Sequence, residues 1–220
     1  MPLPKLGNGW TRRLETVGQA LLPTGEVELA ARFARAVPSL CRYLDLLVEW
    51  NQRFDLTAAR SEDELVDLTL ADAVIIAAGA LEQSPPADGE TWVDVGSGAG
   101  APALPLALLL PELALTLVEP KSKRVAFLRT ASGALSLNTR ATRARSEEVA
   151  SATHAVALSR ATLAPDLWLS EGARLATHAV WVLLARADAP RLEAWQVAGD
   201  WEYQWPLTGA ERRAVRFVRA

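Results

Sequence analysis

The chain has 220 residues, half of them hydrophobic, and a formal net charge of -3 at pH 7. This is enough for one sizeable core with an appended subdomain. No apolar run approaches the roughly 20 residues of a membrane helix, no secretory signal is present, and the single cysteine excludes disulfides and multi-cysteine zinc sites. We therefore expect a cytoplasmic protein without a membrane segment and without a bound metal.

The first part of the chain is predicted to be helical. Residues 1–24 are expected to form a loose leader with one helical turn around residues 10–21. Helical periodicity follows over residues 26–37 and 39–53, and Pro38 is expected to split or kink this region.

A third helix and a linker complete this part. Ser61, with Glu64 three residues later, has the spacing of a capping box and predicts a helix that continues to about residue 78. Residues 83–90 contain Ser-Pro-Pro and Asp-Gly and form the clearest linker in the chain. We therefore divide the chain into a leader with a helical subdomain, residues 1–82, and an α/β domain, residues 91–220.

Residues 91–100, Thr-Trp-Val-Asp-Val-Gly-Ser-Gly-Ala-Gly, are the feature around which the chain is organised. The first five predict a buried strand, and the apolar segment 102–110 predicts a helix with Pro102 at its first position. Between them three glycines stand at alternate positions: Gly96, Gly98 and Gly100. A strand, a glycine turn and a helix place a nucleotide-like ligand at the carboxyl end of a parallel sheet, because glycines allow positive φ and close approach.

Two acidic residues indicate which ligand this turn takes. Asp94 stands two residues before the first glycine, and Glu119 closes the apolar run 113–118, where a carboxylate can accept hydrogen bonds from both ribose hydroxyls. Asp-x-Gly-x-Gly-x-Gly with a later acid is typical of class I S-adenosylmethionine methyltransferases, whereas the dinucleotide motif places its third glycine one residue later. The alternative is a turn that merely connects strand to helix, and the acid at position 119 counts against it.

Beyond the turn, strand and helix patterns alternate. Strands are predicted at residues 113–118, 139–143, 155–158 and 178–184. Helices are predicted at residues 122–136, 165–176 and 189–195. Residues 201–205 and 214–218 predict an antiparallel pair of strands. The fold class is therefore α/β: a Rossmann-like, mostly parallel sheet with helices on both faces and an N-terminal helical subdomain.

The charge is unevenly distributed. Residues 26–90 carry thirteen acidic and five basic side chains, whereas residues 121–145 carry seven basic and no acidic ones. A basic cluster beside a cofactor turn can bind phosphates, although a solvated helix face is an equally open explanation. Near the C-terminus Trp195, Trp201 and Trp205 either belong to the core or form a surface on which RNA bases stack.

With these pieces placed, the chain resembles the bacterial 16S rRNA guanine-N7 methyltransferase family (RsmG, also called GidB). Five blocks occur in the order of the family over roughly residues 40–218. They are Trp-Asn-Gln-Arg-Phe-Asp-Leu-Thr at 50–57, the glycine motif with its two later prolines at 94–105, Lys123-Arg124 followed by Phe127-Leu128, Arg-Ser-Glu-Glu at 145–148, and Ser-Arg-Ala at 159–161.

The resemblance implies S-adenosylmethionine as the cofactor and 16S rRNA or the small ribosomal subunit as the partner of a monomeric enzyme. It places the cofactor against the turn glycines, Ala101, Ser146, Glu147 and Arg160, with Glu119 at the position of the acid for the cofactor ribose. It implies that Lys123 and Arg124 face RNA, and Arg145 is assigned to RNA with them. No catalytic residue is assigned, since guanine N7 has a lone pair and no proton to lose.

The chain departs from the family mainly on the substrate side. Thr69 stands where the family usually has a histidine, Ala155 where an acid is common, and Ala185-Arg186 where Lys-Gly is usual. Ala103 replaces a further glycine of the cofactor motif. Two alternatives therefore stay open: a divergent S-adenosylmethionine-binding or ribosome-associated protein with little or no activity, and a methyltransferase with a different acceptor.

Overall fold

The computed structural model describes residues 3–220, and within that range it contains six α-helices and seven strands. The helices are α1 Thr11–Leu21, α2 Val27–Asn51, α3 Glu62–Gln83, α4 Ala103–Leu109, α5 Ser122–Ala134 and α6 Pro165–Leu175. The strands are β1 Thr91–Val95, β2 Ala114–Val118, β3 Thr139–Thr142, β4 His154–Arg160, β5 Ala176–Leu184, β6 Trp195–Gln204 and β7 Glu211–Arg219. No helix in the described range is both long and apolar enough to cross a membrane.

The N-terminal segment is more ordered than the loose leader that we expected. Trp10 is completely buried, and its indole N–H donates a 2.8 Å hydrogen bond to the Asp45 carboxylate. The backbone N–H groups of Leu6 and Gly7 donate to the same carboxylate. One aspartate on α2 thus holds the start of the chain, and α1 extends over eleven residues. Residues 1 and 2 of the predicted leader lie outside the described range.

Helix α2 runs without interruption through Pro38, so of the predicted split or kink, the split is wrong. Proline removes one backbone hydrogen bond and crowds the preceding turn. The apolar side chains on both sides of it, including Phe33 and Leu40, are nevertheless buried in the same core. Burial of this continuous face outweighs the lost hydrogen bond.

Helix α3 begins as predicted, because the Ser61 hydroxyl accepts a 3.1 Å hydrogen bond from the backbone N–H of Glu64. The Glu64 carboxylate accepts from the backbone N–H of Arg60, one residue before the expected partner. The helix ends at Gln83, five residues later than predicted. Its central turns are buried on nearly every side, and the linker that follows reaches β1 in seven residues.

The seven strands form one sheet in the order β3-β2-β1-β4-β5-β7-β6. The first five are parallel, and β7 inserts antiparallel between β5 and β6. Helices cover both faces: α1 to α5 share one core with the sheet, and α6 packs through Trp168 and Leu169 on the opposite face. The predicted α/β fold class is confirmed. The division at residues 83–90 stays a prediction, and the helical part and the sheet share a continuous core.

The helix predicted over residues 189–195 is wrong. This segment is a turn that contains Pro190, an isolated bridge between Leu192 and Trp195, and a positive φ at Ala194. Trp195 is instead the first residue of β6, which pairs with β7 along its whole length. A helical pattern in so short a segment is weak evidence for a helix. The backbone hydrogen bonds to the neighbouring strand stabilise the extended conformation instead.

Candidate functional site

The glycine turn follows β1 at the carboxyl edge of the sheet. Gly96, Gly98 and Gly100 all have positive φ, at 72°, 54° and 84°, a region that other residues adopt only with strain. Tyr43 on α2 donates a 2.8 Å hydrogen bond to the backbone carbonyl of Ala99. The N-terminal helices therefore contact the turn directly and help to hold its shape.

Gly96 is required for space as well as for its dihedral angles. A Cβ at this position would lie 2.1 Å from Oγ1 of Thr162 and 2.8 Å from its Cγ2. The Thr162 hydroxyl is itself held by a 3.1 Å hydrogen bond to the carbonyl of Val95. The hydrogen bond from Thr162 thus joins the segment after β4 to the end of β1. It passes over Gly96, where there is no room for a side chain. Thr162 was not predicted as a site residue, and no motif marks it.

Glu119, at the end of β2, lies against the turn as its sequence position predicts. One carboxylate oxygen accepts a 3.0 Å hydrogen bond from the backbone N–H of Gly98, and the other accepts at 2.9 Å from that of Lys121. The residue is 2% exposed. Each oxygen has a further lone pair, so the carboxylate can shape the turn and still accept hydrogen bonds from a ligand.

Asp94 lies beneath the turn and is buried. Burial raises the pKa of its carboxyl to about 7, and one carboxylate oxygen, Oδ2, has no hydrogen-bond partner in the described part of the chain. Unpaired buried oxygens are uncommon and often mark functional sites.

A cavity of ≈ 170 Å³ opens between the carboxyl ends of β1, β2 and β4 and the segment that follows β3. Its lining includes Val95, Gly96, Val118, Pro120, Arg145, Ser146, Glu147 and Thr162. Of the residues predicted for the cofactor, the structure therefore brings Gly96, Ser146 and Glu147 together here. Arg145, which was predicted to face RNA, lies in the same cavity.

Gly98 and Glu119 contact each other at the turn but do not line this cavity. The remaining predicted cofactor residues do not line it either. Gly100 and Ala101 are buried under α4, and a Cβ on Gly100 would lie 2.5 Å from Leu104. Arg160 points the other way, donating to the Leu68 carbonyl and, at 3.3 Å, to the Asp72 carboxylate. The cofactor roles of these residues stay predictions.

Arg160 borders a second cavity, of ≈ 240 Å³, between α3 and the β6–β7 hairpin. Tyr203 and Trp205 both donate to Asp72 Oδ1, at 2.6 and 3.2 Å. The guanidinium of Arg212 lies 3.9 Å from the ring centroid of Trp205. None of these three hairpin residues was predicted as part of the site, although the C-terminal tryptophans were a visible signal.

A basic groove of ≈ 490 Å³ lies beside the turn. Five of its lining residues are basic: Arg53, Lys121, Lys123, Arg124 and Arg143. The ammonium group of Lys123 lies 5.1 Å from the ring centroid of Phe54, and the RNA-facing role of this lysine stays a prediction. Arg124 instead lies against the cofactor side, with its guanidinium 4.0 Å from Glu119 and 3.4 Å from the carbonyl of Asp55. No cluster of metal-binding side chains occurs within residues 3–220.

A model of the family described as rRNA small subunit methyltransferase G matches residues 36–197, which is more than half of the chain. The chain belongs to this family. The family predicted from the sequence blocks is therefore confirmed, and with it S-adenosylmethionine as the cofactor.

Two curated relatives carry the name Ribosomal RNA small subunit methyltransferase G. The one from Anaeromyxobacter dehalogenans (strain 2CP-C) is 32% identical over 203 residues, which covers 84% of this chain and 89% of the relative. The one from Ectopseudomonas mendocina (strain ymp) is 39% identical over 94 residues, 43% of this chain and 42% of the relative. In this and several similar matches the chain spans about two fifths of the relative's length.

Solved structures share the fold at low identity. Coclaurine N-methyltransferase, bound to N-methylheliamine and SAH, has a TM-score of 0.51 at 12% identity and covers 98% of this chain and 95% of its own. TrmN from Thermus thermophilus has a TM-score of 0.52 at 20% identity and covers 77% of this chain and 53% of its own. These likenesses establish the class I methyltransferase fold.

Proposed function

We propose that this protein transfers a methyl group from S-adenosylmethionine to N7 of a guanine in 16S rRNA, either in naked RNA or in the small ribosomal subunit. The observation that carries the proposal is the pairing of Glu119 with the glycine turn beside an open cavity at the carboxyl edge. In doubly wound sheets nucleotide-like ligands bind at this edge, where the strand order reverses. Here the reversal lies between β1 and β4, whose carboxyl ends both line the cavity.

The residues of the cavity fit the cofactor. S-adenosylmethionine supplies, when bound, a methyl group on a positively charged sulfur. Ser146 and Glu147, which line the cavity, would face its adenine side. Glu119 lies beside the cavity, against the glycine turn, and its free lone pairs would accept hydrogen bonds from the cofactor ribose. The absence of a side chain at Gly96 keeps the floor of the cavity open.

The chemistry requires positioning more than proton transfer. Guanine N7 has a free lone pair, so a general base is not needed, and orientation alone can lower a barrier by roughly 7–11 kcal/mol in favourable cases. Thr69, at the position of the missing histidine, is buried in α3 and donates a 2.8 Å hydrogen bond to the carbonyl of Leu65. The position therefore holds no proton-transfer group, and the proposed reaction needs none.

The basic groove is suited to the RNA backbone. Its lysine and arginine side chains lie beside the cofactor cavity, with which the groove shares Pro120. Contacts of this kind fix the register of an RNA without reading its sequence. We accordingly assign Lys123 to RNA, and Arg124 and Arg145 to the boundary between RNA and cofactor. The chain is expected to act as a monomer.

The test is methyl transfer from labelled S-adenosylmethionine to unmethylated 16S rRNA, both naked and in small subunits, with the products digested to nucleosides. We expect label in 7-methylguanosine. Label in another RNA, a protein or a small molecule would show that the protein is a methyltransferase with a different acceptor. Protein that binds S-adenosylmethionine but labels nothing would favour the non-catalytic alternative, to which the replaced substrate-side residues point. Glu119→Ala is the negative control for the cofactor site.

A further inference from the structure

The cavity beside Arg160 lies on the acceptor side of the sheet. It is lined by the ends of β4 and β5, by α3 and by the tip of the β6–β7 hairpin, whereas the cofactor cavity lies at the ends of β1 and β2 and against the segments that follow β3 and β4. Arg160, at the end of β4, stands between them. A molecule in this cavity would therefore lie next to a cofactor in the other.

The walls of this cavity suit a flat base. The Trp205 indole, itself only 7% exposed, packs against the guanidinium of Arg212, which lies 3.9 Å from the ring centroid, and both residues line the cavity. Aromatic rings and guanidinium planes are the groups on which proteins stack unpaired RNA bases. The leucines at positions 68, 183 and 184 supply apolar contacts on the other sides.

Asp72 provides the polar group of the cavity and is held in one orientation. Tyr203 and Trp205 both donate to Oδ1, while Oδ2 receives only the 3.3 Å contact from Arg160. Oδ2 thus has accepting capacity left. The residue is 2% exposed, so a ligand that donates to it would do so away from bulk water, where an unpaired partner is costly.

We propose that this cavity binds the acceptor guanine, with Oδ2 of Asp72 accepting a hydrogen bond from the 2-amino group. Tyr203 and Trp205 are positioning residues that orient Asp72, and Trp205 with Arg212 holds the face of the base. Guanine N7 lies on the opposite edge from N1 and the 2-amino group, so it stays free to receive the methyl group. Adenine lacks the 2-amino donor. This inference rests on the proposed function and names the residues that select its base.

The test follows binding of guanosine, inosine and adenosine 5′-monophosphates to the full-length protein by NMR. The indole N–H signal of Trp205, identified by its loss in Trp205→Phe, reports on the cavity because it donates to Asp72. The signal of Trp195, which lies under Arg219 on the same hairpin and outside the cavity, is the matched control. All three nucleotides carry the same phosphate, so differences in affinity reflect the base alone.

We expect guanosine monophosphate to shift the Trp205 signal and to bind about tenfold more tightly than inosine monophosphate, which lacks the 2-amino donor. Asp72→Asn should remove this preference and leave the affinity for S-adenosylmethionine unchanged. Tyr203→Phe, which keeps the ring and loses one hydrogen bond to Asp72, should reduce the preference even if Asp72→Asn folds poorly. The assignment would be overturned if the three nucleotides bound equally, or if the Trp195 signal shifted as much as that of Trp205. Loss of S-adenosylmethionine affinity in Asp72→Asn would overturn it as well.

This readout separates the two proposals. Methyl transfer to rRNA by a protein that binds the three nucleotides equally would refute the base cavity and retain the proposed function. Selective binding of guanosine monophosphate without methyl transfer to any RNA would refute the function and retain the cavity.

Discussion

The Glu119 carboxylate accepts a 3.0 Å hydrogen bond from the backbone N–H of Gly98, 21 residues earlier in the chain. This bond joins the ends of two adjacent parallel strands, β1 and β2, at the edge where the cofactor cavity opens. The same side chain therefore shapes the glycine turn and, in the function that we propose, accepts hydrogen bonds from the cofactor ribose. Its loss should affect cofactor binding through both effects.

Glu119→Ala should weaken binding of S-adenosylmethionine by roughly one to two orders of magnitude, because a hydrogen bond to a charged group contributes about 1.5–3 kcal/mol. Glu119→Gln keeps the size of the side chain and one carbonyl oxygen, so it should bind with intermediate affinity. Isothermal titration calorimetry measures both. Glu82→Gln, an exposed residue on α3, is the control. Wild-type affinity in Glu119→Ala would remove this residue from the site.

Gly96→Ala should destabilise the protein more than Gly89→Ala. Both glycines have nearly the same φ, 72° and 74°, so both substitutions incur the same backbone strain. A Cβ at position 96 would clash with the side chain of Thr162, whereas a Cβ at position 89 would have no atom within 4 Å. The difference should be about 1–3 kcal/mol in the free energy of unfolding, which is typical of overpacking.

A second substitution tests the origin of that difference. Thr162→Ala removes the two atoms nearest to the added Cβ and should restore part of the stability of Gly96→Ala, as measured by urea denaturation. If the double variant is as unstable as the sum of the single changes predicts, the clash with Thr162 is not the cause.

Local patterns in the sequence predict the glycine turn and the position of Glu119 against it. The glycines of the turn and the acid at position 119 belong to adjacent strands, and parallel strands bring their carboxyl ends together whatever their distance along the chain. The capping residue Ser61 is equally local, since its hydroxyl and the N–H that it caps are three residues apart. Such features need no knowledge of how distant segments pack.

The cavity beside Arg160, which we propose for the acceptor, could not be predicted in the same way. Asp72 and Trp205 are 133 residues apart, and they meet only because β7 inserts between β5 and β6 and returns the hairpin to α3. Nor could periodicity show that Trp195 begins an edge strand instead of ending a helix, because hydrogen bonds to β7 decide this. Arg124 is basic in sequence, yet the fold turns it toward Glu119.

Asp94 should make the stability of the protein fall as the pH rises toward neutrality. Burial raises the pKa of this carboxyl to about 7, whereas an unfolded aspartate ionises near about 3.9. Between these values the folded protein retains a proton that the unfolded chain has released. The contribution of Asp94 to stability is therefore complete below about pH 4, is lost at about 1.4 kcal/mol per pH unit up to about pH 7, and is constant above.

Comparison of the wild type with Asp94→Asn isolates this contribution from other titrating groups. The free energy of unfolding of the wild type, minus that of Asp94→Asn, should decrease between about pH 5 and pH 7 and then level off. Urea denaturation at a series of pH values measures it, with Asp88→Asn, an exposed position in the linker, as the control. A difference that does not change with pH would show that Asp94 is ionised throughout this range.

The basic groove should contribute the salt dependence of RNA binding. Lys123→Gln and Arg143→Gln each remove one cation that lines the groove without touching Glu119. If each contacts one phosphate of a single strand, the slope of log K against log salt concentration should become shallower by about 0.7 per substitution.

Filter binding of 16S rRNA fragments at several salt concentrations measures this slope. Arg35→Gln removes an exposed arginine of α2 outside the groove and should leave both the slope and the affinity unchanged. Binding of S-adenosylmethionine should stay at the wild-type level in all three variants, because none of these residues lines the cofactor cavity or contacts Glu119. Unchanged slopes in Lys123→Gln and Arg143→Gln would place the RNA backbone on another face of the protein.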